Sequence, residues 1–198
     1  GDGDGVDGTD VAGDADAGRV APRAARGYDA VGPQPAFQVG ETPPDESGVR
    51  FLALSLDGRI IARAGDDAGE QVIEVELHDT TRGARVPAFV DYDVFTMASL
   101  SVKGMVLARG RNAAGDASVI AYRPFTSWGG NAEWKLSLPP GEDAVAVSAG
   151  TTFVAVATSV GNLRLFSPAG VQRAVLSIPG PTVCMAARGR DVAVAWHA

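Results

Sequence analysis

From Phe37 onward, short apolar runs alternate along the chain with turn residues. Residues 51–56 and 59–64 flank Asp57-Gly58, a dipeptide that is typical of tight β-hairpin turns. In residues 72–77 apolar and acidic side chains alternate, which is the pattern of a half-buried strand. Because no window of ten or more residues has a convincing helical apolar stripe, the pattern predicts an all-β fold.

The predicted strands form a repeat. Further strands are predicted at residues 94–100, 105–109, 118–122, 134–138, 144–148, 153–158, 163–166, 175–178, 183–187 and 192–196. Pairs of strands rich in Ala and Val begin at Phe51, Val94, Ala144 and Thr182. Their spacing of about 40 to 50 residues is that of a four-stranded β-propeller blade, and small residues suit the inner strands of a tapering blade. A β-sandwich is the alternative fold, but the repeated strand pair favours the propeller.

The chain divides into two parts near residue 35. Residues 1–34 consist largely of Gly, Ala and Asp, and contain seven Asp and three Arg. Too few apolar residues are present to offset the cost of ordering this backbone, so we predict a disordered acidic linker. The Asp-Gly repeats lack the spacing of a calcium-binding loop. Residues 35–198 are predicted to form about three and a half blades of a propeller, which the end of the chain leaves open.

Composition argues against several partners. The formal net charge is −7, and only two lysines, Lys103 and Lys135, are present. A surface that binds phosphate needs clustered Lys or Arg, so direct nucleic-acid binding by this segment is not expected. The sequence has no stretch of about 20 apolar residues, which is the length needed to span a membrane.

Candidate reactive residues are few. We interpret His78 as a turn residue and expect His197 to lie on the last strand. Cys184 lies in an apolar run and is predicted to be a buried structural thiol. The sequence contains no nucleophile elbow, zinc-protease motif or phosphate-binding loop. No catalytic, metal-binding or cofactor-binding residue is therefore predicted, and no cofactor is expected.

The remaining polar and aromatic candidates have structural interpretations. Trp128 and Trp134 are predicted to pack between strands. The carboxylates of Glu74, Glu76, Asp91 and Asp93 are predicted to be solvated. We therefore predict a non-catalytic interaction module. The alternative is a propeller enzyme whose site lies in blades outside this chain.

One long segment resembles a known family. Residues 163–186, LRLFSPAGVQRAVLSIPGPTVCMA, resemble the SepB-type propeller of the eukaryotic replisome adaptor family. That family is known as chromosome transmission fidelity protein in yeast and as the acidic nucleoplasmic WD-repeat and HMG-box DNA-binding protein in animals. Shorter matches occur at residues 37–40 (FQVG), 75–80 (VELHDT) and 154–159 (VAVATS). Residues 185–189 read MAARG where the family has Met-Ala-Gly-His-Gly, so one Gly-His turn is absent.

The resemblance implies a six-bladed propeller followed by a helical domain, in a nuclear protein that forms a homotrimer. It implies a scaffold that links DNA polymerase alpha–primase and other clients to the GINS and MCM components of the replicative helicase. In the yeast member of the family, short client peptides dock on the helical domain, which is not in this chain. No protein-binding residue can therefore be assigned to this chain. A propeller scaffold unrelated to replication is the alternative.

Overall fold

The computed structural model describes residues 32–67, 69–79, 81, 86–125 and 133–198. The predicted disordered linker lies outside these ranges except for residues 32–34, so that interpretation stays a prediction. A 3₁₀ turn, Val39–Glu41, precedes fourteen strands. They are β1 (Val49–Leu54), β2 (Gly58–Ala64), β3 (Gln71–Leu77), β4 (Phe89–Asp91), β5 (Met97–Ser101), β6 (Gly104–Arg109), β7 (Val119–Pro124), β8 (Trp134–Ser137), β9 (Ala144–Ala149), β10 (Val154–Thr158), β11 (Asn162–Phe166), β12 (Gln172–Ser177), β13 (Thr182–Arg188) and β14 (Asp191–Trp196). Within these ranges we find no helix that is long and apolar enough to cross a membrane.

The strands form four sheets, each built from consecutive antiparallel strands. The sheets are β1-β2-β3-β4, β5-β6-β7-β8, β9-β10-β11-β12 and β13-β14. The first strands of successive sheets, β1, β5, β9 and β13, lie beside one another. This is the arrangement of propeller blades around a central channel. The predicted all-β propeller is confirmed.

The apolar runs of β6 and β10 exist because each of these strands is covered on both faces by neighbouring sheets. In β6, Met105 and Leu107 pack in the core between the first and second sheets. Val106, the residue between them, packs in the core between the second and third sheets. The side chains of β10 alternate in the same way between the core of the second and third sheets and the core of the third and fourth sheets. Since strand side chains alternate between faces, a strand covered on both sides must be apolar at every position.

Serine side chains join neighbouring blades. The Ser118 hydroxyl donates a hydrogen bond to the Arg109 carbonyl (2.6 Å) and accepts one from the Ala144 amide (2.9 Å) at the start of β9. The Ser99 hydroxyl on β5 accepts one from the Ala149 amide (3.1 Å) on β9. These bonds satisfy polar backbone groups where two sheets meet.

The turn after β4 corrects two predictions. The sequence did not predict β4, which has only three residues. Asp91 at its end is buried, although a solvated carboxylate was predicted. This carboxylate accepts hydrogen bonds from the amides of Asp93 (2.9 Å) and Phe95 (2.8 Å). It thereby holds a sharp turn in which Val94 has a φ of 53°, a strained value for a β-branched residue.

Residues 33–41, which we call the N-terminal strap, cross the end of the channel. The Phe37 amide donates a hydrogen bond to the Val183 carbonyl on β13 (2.6 Å). The strap then packs against β1 and β5, where a Cβ atom on Gly40 would lie 1.9 Å from the Thr96 carbonyl oxygen. Glycine is required here because the two backbones approach so closely. The strap thus connects the fourth sheet to the first two.

Candidate protein-interaction surface at the channel mouth

Turns from all four sheets meet at the channel end opposite the strap. They surround a cavity of about 690 Å³, which we call the channel mouth. Its lining consists of Leu56, Asp57, Leu77, His78, Asp79, Leu100, Ser101, Val102, Phe125, Ala149, Thr151, Ala187, Arg188 and Gly189. A cavity of this size is within the range of about 300–1,000 Å³ that is typical of ligand pockets.

Two of these turns share one local design, Ser-x-x-Gly. In residues 55–58 (SLDG) the Ser55 hydroxyl accepts a hydrogen bond from the Asp57 amide (3.2 Å). In residues 101–104 (SVKG) the Ser101 hydroxyl accepts one from the Lys103 amide (3.3 Å) and donates one to the Gly104 carbonyl (3.1 Å). In both turns the second residue is apolar and points into solvent. Leu56 is 78% exposed and Val102 is 43% exposed.

The turns of the third and fourth sheets are joined to each other. The amide and hydroxyl of Thr151 both donate hydrogen bonds to the Gly189 carbonyl, at 2.7 and 2.9 Å. Gly189 has a φ of 61°, so a left-handed turn places Arg188 and Arg190 on either side of it. Of the two arginines, Arg188 lines the mouth.

Acidic and basic side chains both surround the mouth. Lys103, Arg188 and Arg190 are exposed. None of the three makes an ion pair with any residue that the structure describes. The first sheet contributes Asp57 and Asp79 to the lining, and Asp191 is the cross-strand partner of Arg188 in the fourth sheet.

The two histidines lie at opposite ends of the channel. His78 is at the mouth, where its amide donates to the Asp57 carbonyl (3.0 Å) and its Nδ1 lies 3.2 Å from the Leu56 carbonyl oxygen. The turn interpretation of His78 is confirmed. His197 follows β14 instead of lying on it, and its Nε2 is 3.1 Å from the Gln34 carbonyl oxygen of the strap. In the described ranges no group of three or more His, Cys, Asp or Glu residues could hold a metal ion.

The prediction for Cys184 is wrong, because the thiol is exposed. The neighbouring Met185 packs in the core between the third and fourth sheets. Since adjacent strand residues point to opposite faces, Cys184 lies on the other face of β13, which this core does not cover. The apolar sequence around the thiol did not distinguish the two faces.

Trp134 is a packing anchor, as predicted. Its ring stacks on Tyr122 with 5.9 Å between ring centroids and lies 5.8 Å from Phe166. Its Nε1 donates a hydrogen bond to the Pro168 carbonyl (3.0 Å) in the turn between β11 and β12. Trp128 lies outside the described residues.

The other predicted surface carboxylates form ion pairs. Glu76 pairs with Arg59 (2.6 Å), and Glu74 pairs with Arg63 (3.0 Å). Asp93 pairs with Lys135 (2.6 Å). Glu74 and Glu76 lie at the surface, as predicted for the polar face of β3.

A buried ion pair was not predicted from the sequence. Glu142 precedes β9 and its carboxylate accepts hydrogen bonds from Arg164 Nε (2.8 Å) and from a terminal nitrogen of the same guanidinium (2.5 Å). The side chains are 6% and 13% exposed. The hydrogen bonds from Arg164 lower the pKa of Glu142 to about 2, although burial opposes this shift. The pair fixes the start of β9 onto β11 and lies away from the mouth.

The sequence matches known proteins over nearly the whole propeller part. Residues 35–198 match the family described as "Minichromosome loss protein, Mcl1, middle region". Over 164 residues, or 83% of the chain, it is 38% identical to "Protein ENHANCER OF LHP1 1" of Arabidopsis thaliana, and covers 17% of that protein. It is 35% identical over 175 residues to human "WD repeat and HMG-box DNA-binding protein 1", covering 86% of the chain and 15% of the relative.

A fungal relative matches a shorter part. "Minichromosome loss protein 1" of Schizosaccharomyces pombe is 34% identical over 128 residues, which are 64% of the chain and 15% of the relative. The chain thus spans less than a fifth of the length of these relatives. Together with the propeller arrangement of the sheets, the match to residues 35–198 shows that the chain belongs to the Mcl1 minichromosome loss protein family, of which it represents the middle region.

Proposed function

We propose that this chain is a scaffold segment of a nuclear DNA replication protein and that it performs no catalysis. The observation that carries the proposal is the family match over residues 35–198. The names of two relatives refer to minichromosome loss and to DNA binding, which associates them with chromosomes. A propeller by itself is compatible with many functions, so the proposal rests on the family and not on the fold.

The full-length parent is proposed to link the replicative helicase to DNA polymerase alpha–primase. Its partners are GINS and MCM on the helicase side, and it acts as a homotrimer. The resemblance of residues 163–186 to the replisome adaptor family supports this finer assignment. Several copies in one trimer would strengthen weak contacts by raising the effective concentration of each binding surface.

Protein partners suit this segment better than nucleic acid. The net charge is −7, and many of its cations are engaged by carboxylates, such as Arg59, Arg63 and Lys135. A protein of this charge is repelled by the phosphate backbone. We assign any DNA binding by the parent to regions outside this chain.

The test uses the full-length parent protein. Its mass in solution is measured by light scattering, and the immobilised protein is then used to capture GINS and polymerase alpha–primase from nuclear extract. An unrelated propeller of similar net charge serves as the control bait. We expect a trimer that captures both clients. A monomer that captures neither, or a preparation that turns over a small-molecule substrate, would overturn the scaffold function. Capture of GINS without polymerase would contradict only the client assignment.

A further inference from the structure

We propose that Thr42 is a phosphorylation site for a proline-directed protein kinase, and that the phosphate weakens the attachment of the N-terminal strap. The proposal is based on the sequence at the end of the strap, the exposure of the segment that follows it and the acidic residues around it. It goes beyond the proposed scaffold function and does not depend on it.

The chain contains two dipeptides in which a hydroxyl residue precedes proline. They are Thr42-Pro43 and Ser167-Pro168. Kinases of the proline-directed class require a proline directly after the residue that they phosphorylate. The proline also disfavours the helical conformation of the residue before it, which is therefore extended. From the sequence alone, both hydroxyl groups are candidates.

The structure makes the Thr42 hydroxyl accessible. Residues 41–47 are all exposed, and residues 43–45 have no regular secondary structure. Thr42 has a φ of −65° and a ψ of 129°, which is an extended conformation. Its hydroxyl forms no hydrogen bond with the part of the chain that the structure describes. A kinase can therefore bind this segment in the conformation that it already has.

Ser167 is held in a closed turn instead. It is 4% exposed, and its amide donates a hydrogen bond to the Val171 carbonyl (2.8 Å). Its hydroxyl accepts a hydrogen bond from the Val171 amide (3.2 Å). The Pro168 carbonyl accepts the indole hydrogen bond of Trp134. This turn cannot enter a kinase active site without losing these contacts, so the fold selects Thr42 over Ser167.

The reaction is a phosphoryl transfer from ATP with its magnesium ion. The Oγ1 atom of Thr42 forms a bond to the γ-phosphorus of ATP, the bond from that phosphorus to the β–γ bridging oxygen breaks, and ADP leaves. The catalytic aspartate of the kinase accepts the hydroxyl proton. The product carries a charge of about −1.5 to −2 at neutral pH.

The new charge would lie among acidic residues at the end of the strap. Glu41 is adjacent to Thr42, and Asp45 and Glu46 follow shortly after it. The Thr42 amide also closes the 3₁₀ turn of the strap by donating a hydrogen bond to the Val39 carbonyl (3.1 Å). Because a phosphate next to carboxylates disrupts local structure by like-charge repulsion, phosphorylation should open this turn and weaken the strap.

The first experiment incubates the complete 198-residue chain with a purified mitogen-activated protein kinase and ATP with magnesium, and maps phosphate by mass spectrometry. We expect phosphate at Thr42 and not at Ser167. Thr42→Val should abolish the modification, and Pro43→Ala should slow it about 10-fold or more. Circular dichroism checks that each variant is folded.

The matched controls are synthetic peptides of residues 32–47 and 162–172. Both should be phosphorylated, because neither has the fold that protects Ser167. The proposal is wrong if the kinase accepts neither the first peptide nor Thr42 in the chain. It is also wrong if Thr42 in the folded chain stays unmodified while its peptide is a substrate, or if Ser167 in the folded chain reacts as fast as in its peptide.

A second experiment measures the effect on the strap by chymotrypsin cleavage after Phe37. Cleavage requires the strap to open, so its rate follows the population of the open form. We expect the phosphorylated chain to be cleaved about 2- to 3-fold faster, with a smaller difference at high salt. The peptide of residues 32–47 should be cleaved equally fast with and without phosphate, which excludes a direct effect on the protease. Equal rates for the two forms of the chain would overturn the effect on the strap.

Discussion

Replacing Glu142 with glutamine should destabilise the propeller more than the loss of an exposed carboxylate would. Glu142 and Arg164 are both largely buried, and hydrogen bonds, of which those from Arg164 contribute most, lower the pKa of Glu142 from 4.5 to about 2. At about 1.36 kcal/mol per pKa unit, this shift corresponds to about 3 kcal/mol of stability at neutral pH. Glutamine keeps one acceptor oxygen but leaves the buried guanidinium without a counter-charge, so we expect a loss of about 2–3 kcal/mol.

Urea unfolding followed by circular dichroism at pH 7 measures the loss. The matched control is Glu76→Gln, which removes a carboxylate from the exposed pair with Arg59. The side chains of that pair are 42% and 63% exposed. Surface ion pairs of this kind contribute less than about 1 kcal/mol. Equal losses in the two variants would refute the reasoning.

The pH dependence provides an independent check. Because the pKa of Glu142 is lower in the folded state, its contribution is complete above about pH 4.5 and is lost as the pH falls toward 2. The difference in stability between the unmodified chain and Glu142→Gln should therefore shrink over this interval. Comparing the two proteins cancels the contributions of all other carboxylates. A difference that stays constant to pH 2.5 would contradict the assigned pKa.

Three further predictions concern other contacts. Trp134→Leu removes the ring contacts with Tyr122 and Phe166 and the indole hydrogen bond, and should lower the free energy of unfolding by about 2–4 kcal/mol; an unchanged urea midpoint would contradict this. Gly40→Ala should cost about 2 kcal/mol or more, because the added Cβ collides with a backbone carbonyl. Gly32→Ala, where a Cβ meets no atom within 4 Å, is its neutral control. Because its thiol is exposed, Cys184 should react with a maleimide in the native chain nearly as fast as in urea. Slow labelling of the native chain would instead support a buried thiol.

The sequence predicted correctly the strands that are buried on both faces, because such burial requires apolar side chains at every position. β6 and β10 could be predicted as strands because unbroken apolar runs lie between turn residues. The blade repeat followed from four such strand pairs at similar spacing. β4 was not predictable by this reasoning, since three residues are too few to show a period and Asp91 resembles an ordinary surface carboxylate.

Most of the channel mouth was not visible in the sequence. Its turns come from four blades, and only the fold brings their residues together. A local signal did exist in the repeated Ser-x-x-Gly turns at residues 55–58 and 101–104, each with an apolar second residue. The Glu142–Arg164 pair left no comparable signal, because the two residues are 22 positions apart in sequence and meet only when β9, β10 and β11 have assembled into one sheet. Strand alternation alone could not determine which face of β13 carries Cys184.

The N-terminal strap has a consequence for how the chain folds. Each sheet is made from strands that are neighbours in sequence, so each can form through short loops and at modest entropic cost. The bond from Phe37 to Val183 instead closes a loop that contains nearly the whole propeller, and it can form only after the fourth sheet is in place. We expect the strap to dock in the last kinetic step. In native-state hydrogen exchange, the Phe37 amide should then lose protection whenever β13 detaches, while the amides in the centre of β6 remain protected.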